Sequence, residues 1–195
     1  MRVFLTVLVL IFNLQSWTKA GDISDFEIEG MSIGDTLLRF YSEDEIKSKA
    51  RPLLIGGKKY YQWNKIFKKD NNKTYENLVL FFRTDDKNYI IKNIEGRDYY
   101  TNNINECYDM QMVIGDEIAI IIENAKKKGP KKIKMSNFPD GNSYLTSLDF
   151  VLDDGSFIRI ACLDFSNKDT NSRDRLSVAV GTKEYGNWFH SKDKK

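Results

Sequence analysis

Few residues in this 195-residue chain could do chemistry, and most of their pairings point to structure instead. Cys107 and Cys162 are its 2 cysteines and His190 its 1 histidine. Nucleophilic catalysis of the Ser-His-Asp or Cys-His kind needs an imidazole beside the nucleophile, and a lone histidine in a lysine-rich tail is poorly placed for it. The sequence has no HExxH, Walker or dinucleotide glycine motif. Two adjacent carboxylate pairs, Asp85-Asp86 and Asp153-Asp154, have the chemistry of a general acid and base. Each lies in a turn-forming stretch, where aspartate accepts hydrogen bonds from its own backbone, so the expected role is a hairpin turn. Asp70-Asn71-Asn72 opens like a calcium loop but lacks the glycine at the sixth position and the distant glutamate. The sequence therefore predicts no catalytic residue, no metal ligand and no cofactor.

The densest basic cluster is Lys126, Lys127, Lys128, Lys131, Lys132 and Lys134. Near an anionic headgroup each lysine is worth about 1 kcal/mol, which makes the cluster a candidate anionic-surface contact. The favoured reading is a solvated helix end. Lys58-Lys59-Tyr60-Tyr61-Gln62-Trp63 interleaves cations with aromatics as stacking platforms do. Strand alternation puts Tyr61 and Trp63 on one face and Tyr60 on the other, so packing is the expected use.

The N-terminus reads as an address. Met1-Arg2 is a short positive region, residues 3–12 are apolar apart from Thr6, and Thr18-Lys19-Ala20 precedes Gly21 as a small-x-small cleavage site. The apolar run is about half the length of a membrane span. A mature chain starting at Gly21, after cleavage at Ala20, would meet an oxidising compartment, where a Cys107–Cys162 disulfide is the expected pairing. The Cys-x-x-Cys spacing of a redox pair is absent. Losing residues 1–20 removes Arg2 and Lys19 and no acid, which brings the 30 Lys+Arg and 28 Asp+Glu of the full chain into balance. A neutral domain gives no support for nucleic-acid binding.

The elements that must position these residues alternate between helix and sheet. Ser32 with Asp35 opens a short amphipathic helix through Leu37, Leu38, Phe40 and Tyr41. Ser42 opens a second, polar one to about Lys49, and Pro52 ends it. Residues 53–55 and 58–63 flank Gly56-Gly57 as a hairpin. Residues 75–83 form a strand apolar enough to be covered on both faces, and 89–94 another, closed by Gly96. From 103 to 127, Ile104, Tyr108, Met112, Gly115, Ile118, Ile121, Ile122 and Ala125 recur at helical spacing. Gly115 costs such a helix about 1 kcal/mol, so a neighbour must pack closely there or the helix must break. Lys126 to Lys128, then Gly129-Pro130, form its end. Strands at 144–152, 157–163 and 176–180 come next, and Trp188 and Phe189 pin the C-terminus. This predicts an α+β fold: an antiparallel sheet with a long helix and a short N-terminal helical segment, in one domain over 21–195. Met31–Asp35 resembles Met112–Asp116, and Thr84–Ile90 resembles Leu152–Ile158. Together they suggest two related helix-plus-hairpin halves, 21–100 and 101–190.

Phe26 to Asp35, Tyr89-Ile90-Ile91, Ile104-Asn105-Glu106-Cys107, Cys162 and Glu184-x-x-x-Trp188 together resemble a group of uncharacterised exported proteins from AT-rich marine alphaproteobacteria. The resemblance spans most of the mature chain and implies a Gram-negative periplasm, with no activity to carry over. Gly30-Met31-Ser32 ahead of a helix and a strand meander is similar, at the level of fold alone, to the small lipoprotein of the outer-membrane barrel-assembly machinery and to β-lactamase inhibitor protein. The chain lacks a lipoprotein cysteine after its signal. The expected function is a periplasmic binding or interaction module for an envelope protein or small ligand. The alternatives are a hydrolase whose carboxylates converge only in the fold, and a peripheral membrane-surface protein using the lysine cluster.

Overall fold

A computed structural model describes residues 22–53, 58–67, 73–100, 103–122, 124–135, 142–165 and 172–191. The cleavage site at Ala20 and Gly21, the Gly56-Gly57 turn and the Asp70-Asn71-Asn72 loop lie outside the described residues.

A 3-10 turn at Ile23–Asp25 leads into a small hairpin, β1 (Glu27–Ile28) and β2 (Met31–Ser32). The Asp35 carboxylate accepts the Ser32 N–H, as the predicted helix start requires. Beyond it the chain makes a single 3-10 turn, Leu37–Arg39, instead of a helix. The backbone is pulled sideways there: Gly34 and Leu37 donate backbone bonds to Ile91 and Tyr89, and Ile91 donates back to Asp35. Ser42 caps α1 (Glu43–Lys49) by accepting the Glu45 N–H, with three acids in the first turn and lysines in the last, as its pattern predicts.

Then come β3 (Arg51–Pro52), β4 (Tyr60–Ile66), β5 (Asn77–Arg83) and β6 (Asn93–Tyr99), followed by α2 (Ile104–Ile121), β7 (Lys126–Lys134), β8 (Tyr144–Val151), β9 (Phe157–Asp164), β10 (Arg175–Gly181) and α3 (Lys183–His190). The fold is α+β: β3 to β10 form one antiparallel sheet in the order β3-β4-β5-β6-β10-β9-β8-β7. A helix followed by four antiparallel strands occurs twice, and the two runs meet where β6 pairs with β10. The two motif pairs noted in the sequence do not occupy equivalent places in these runs: Met31-Ser32 is strand while Met112 to Asp116 is mid-helix.

The main core lies between α1, α2 and one face of the sheet, built on Ile46, Trp63, Leu80, Phe82, Ile94, Ile118, Leu148, Phe150 and Ile160. Cys107 on α2 and Cys162 on β9 are joined there by a disulfide, 55 residues apart in sequence and both fully buried.

Three further elements depart from expectation. The strand expected at 89–94 begins at Asn93 and runs through Gly96, which does not close it. Gly96 lies under the Tyr75 ring, where a Cβ would stand 2.5 Å from Cδ2, so the glycine makes room for packing. Second, α2 ends at Ile121, earlier than the stripe predicts, and Met112 is 40% exposed while Gln111 is buried. Third, the lysine cluster is no helix end. Lys126, Lys127, Lys128, Lys131, Lys132 and Lys134 all lie in β7, every residue of which is exposed. β8 would otherwise present unpaired backbone groups, and the ladder from Lys126↔Val151 to Lys134↔Tyr144 satisfies them.

Candidate functional site

Strand alternation divides the sheet into two faces. On β5, Leu78, Leu80 and Phe82 point to the helices while Asn77, Val79 and Phe81 point away; with α3 on the second face, β5 is covered on both sides as its apolar run predicts. Thr182 caps α3 by accepting the Tyr185 N–H. Tyr185 and Trp188 then pack on Tyr60, with ring centroids 5.2 and 4.6 Å away, and Tyr185 packs on Phe81 at 5.2 Å. Glu184 ties the helix down through Arg83 at 2.7 Å and Lys59 at 3.2 Å.

Beyond α3 the second face is polar. The register sets Tyr99, Arg175, Leu163, Leu145 and Ile133 in one row across β6, β10, β9, β8 and β7. The next row runs through Arg97, Ser177, Ala161, Ser147 and Lys131, and a third through Glu95, Ala179, Arg159, Asp149 and Lys128. Glu95 accepts two bonds from Arg97, Nε at 2.7 Å and Nη2 at 2.9 Å, and one from the Ser177 hydroxyl at 2.6 Å. Burial pushes the Glu95 carboxyl up, but Arg97 and Ser177 overcome it and hold the group below the usual carboxylate range. Arg159 donates to Asp149 at 2.6 Å and sits 3.3 Å from the His190 ring, so His190 belongs to α3 instead of a frayed tail. The Arg173 guanidinium lies 3.5 Å over the Tyr99 ring, and that of Arg175 5.1 Å from the Phe165 ring. Neither has a carboxylate partner among the described residues.

The residues singled out in the sequence are scattered. Asp85 is ion-paired with Arg83 and its pKa is pulled down to about 2; Asp86 accepts the Asn88 and Ile90 N–H groups. Asp153 and Asp154 line a separate cleft of about 230 Å³ with Asp22, Ile23, Ile122, Asn124 and Leu152. There Asp154 accepts from the Ser156 backbone and hydroxyl, and Asp22 caps the first 3-10 turn. In each pair the second aspartate, Asp86 or Asp154, therefore does turn work, while Asp85 serves its ion pair with Arg83. Among the described residues no group of three His, Cys, Asp or Glu could hold a metal ion, and no helix is long and apolar enough to cross a membrane. The lysines divide between the faces: Lys126, Lys128 and Lys131 share the polar face, while Lys127, Lys132 and Lys134 share the helix side. Lys127 reaches Asp116 at 3.4 Å, and Lys132 lies 4.4 Å over the Tyr144 ring.

Sequence reasoning missed the polar face. Its signal was the alternation Glu95-Gly96-Arg97-Asp98-Tyr99, hidden once Gly96 was read as a strand end. Comparison of the chain with protein-family models, curated proteins and solved structures finds no match in any of the three.

Proposed function

We propose that the chain is exported, loses residues 1–20, and works in the periplasm as a binding module whose recognition surface is the polar face of the sheet beyond α3. One observation carries this reading. A sheet face that needs no partner is either covered or evenly polar. Here five strands present a graded array, with Leu145, Leu163 and Ile133 along one row, paired charges along another, and at one corner guanidiniums that have no acid partner among the described residues. The disulfide agrees with an oxidising compartment. The resemblance to exported alphaproteobacterial proteins implies the periplasm. Neither the turn-bound aspartates nor the two-sided lysines offer a comparable argument for hydrolysis or membrane attachment.

The test is capture from an extract of exported proteins by immobilised residues 21–195, compared with two variants. Leu145→Asp with Leu163→Asp alters the polar face. Val113→Asp alters the outer side of α2, where Val113 is 47% exposed. The reading expects capture to be lost in the first variant and kept in the second. Equal capture by both, or nothing specific at low salt, counts against it.

A further inference from the structure

We propose that the corner of the polar face where β6 meets β10 binds an oxyanion, a phosphate or carboxylate group, held by Arg175 and Arg173 beside Arg97 and flanked by Tyr99 and Phe165. The inference rests on the reading of this face as the recognition surface and names the ligand chemistry it would take. Arg175 lies directly opposite Tyr99, and Ser177 opposite Arg97. Arg175 and Arg97 are therefore diagonal neighbours on one face, with Cβ atoms about 7 Å apart. Such a span lets one oxyanion face both guanidiniums.

Among the described residues the charges at this corner do not balance. Arg175 lies beside Arg97, Arg173 stacks on the Tyr99 ring next to them, and Glu95 is the nearby acid, bound to Arg97 through two bonds and attracting Arg175 without a bond to it. The other nearby carboxylates are occupied elsewhere: Asp98 accepts the Tyr99 N–H and Asp174 the Phe165 N–H. Arg175 Nε is buried with no acceptor among the described residues, a disfavoured state for a charged donor. Burial first, and then repulsion from Arg97, hold the Arg175 pKa below the usual arginine range. A guanidinium cannot escape by losing its proton in a protein, so an incoming anion at its terminal nitrogens is what relieves the repulsion. The planar fork of arginine matches carboxylate and phosphate oxygens, and the Tyr99 and Phe165 rings already hold two of the forks in place. Asn77 donates to the Tyr99 hydroxyl at 3.4 Å and steadies that ring from β5.

The experiment follows the arginine Nε–Hε resonances of isotope-labelled residues 21–195, disulfide intact, on titration with inorganic phosphate or succinate at constant ionic strength set by chloride. The expected result is a saturable shift at Arg175 and Arg173, with the affinity read at Arg173 weakened about tenfold or more in Arg175→Gln, the loss of one charge-assisted contact. Saturation by phosphate alone identifies a phosphoryl ligand and by succinate alone a carboxylate; either supports the site. A shift that tracks ionic strength only, for both probes, overturns it, as does equal affinity in Arg175→Gln. Should that variant fail to fold, Arg173→Gln at the exposed neighbour makes the same comparison. Face-dependent capture of a partner without anion binding would sink this inference and leave the binding-module reading standing. Anion binding without capture would do the reverse.

Discussion

Leu148 packs directly onto Gly115: a Cβ at that glycine would stand 2.3 Å from Leu148 Cδ2. The glycine in mid-helix is thus explained by close approach, and α2 runs unbroken through it. Gly115→Ala should gain about 1 kcal/mol of helix propensity and lose about 1–3 kcal/mol to overpacking, because Leu148 is fully buried in the core and must shift to admit the methyl group. The expected net effect is destabilisation. In a Leu148→Ala background the same change should stabilise, and a double-mutant cycle of denaturation midpoints reads the coupling.

The bridge between Cys107 and Cys162 ties α2 to the middle of the second run of strands across 55 residues. In the chain-entropy model, closing such a loop contributes about 4 kcal/mol. Reduction should lower the urea midpoint accordingly, and the native mass should lie about two protons below the reduced mass. Free thiols in native material would refute the pairing.

Gln111 is 1% exposed and donates to the Thr146 and Ile160 carbonyls at 2.8 and 2.7 Å, joining α2 to β8 and β9. Gln111→Leu keeps the volume and removes both donors, with an expected loss of about 2 kcal/mol measured by equilibrium unfolding. An unchanged midpoint would mean the carbonyls find other partners.

The Glu95 carboxyl has a folded pKa below its ordinary value because of Arg97 and Ser177, in spite of burial. A group of this sign contributes stability that is present above the unfolded pKa of about 4.3 and is lost as pH falls through the lower folded value. Wild-type protein should therefore lose stability on acidification in that window, and Glu95→Gln should flatten this part of the profile while lowering stability at neutral pH, where Arg97 is left unpaired. Parallel profiles for the two proteins would contradict the assignment.

The β7 edge carries three devices that discourage strand addition: lysines on both faces, Pro130, and a register shift between Lys128 and Lys131. Lys128→Val with Lys131→Val and Pro130→Thr should produce concentration-dependent association on size-exclusion chromatography with little change in folding midpoint. Replacing Lys126, Lys128, Lys131 and Lys134 by Gln should leave retention on anionic vesicles unchanged. Retention lost in that variant would instead restore the membrane-surface role.

Local physics carried the sequence a long way. The Ser42 cap, the Asp153-Asp154-Gly155 turn and the opposed directions of Tyr60 and Trp63 depend on neighbours within a few residues, and all are present in the fold. So do the apolar runs that became β5, β8 and β9. The cysteine pairing came from compartment and count. Tertiary structure alone decided that three consecutive lysines form a strand, because their conformation is set by unpaired backbone on β8. It also decided that Gly96 lies within a strand, because β5 and β10 pair with it from both sides, at Leu78 and Val178. The guanidinium corner is of the same kind. Arg97 and Arg175 are 78 positions apart in the numbering of the chain, and only the β6–β10 ladder, the longest-range pairing in the sheet's centre, sets them on one face, with Arg173 stacked on Tyr99 beside them.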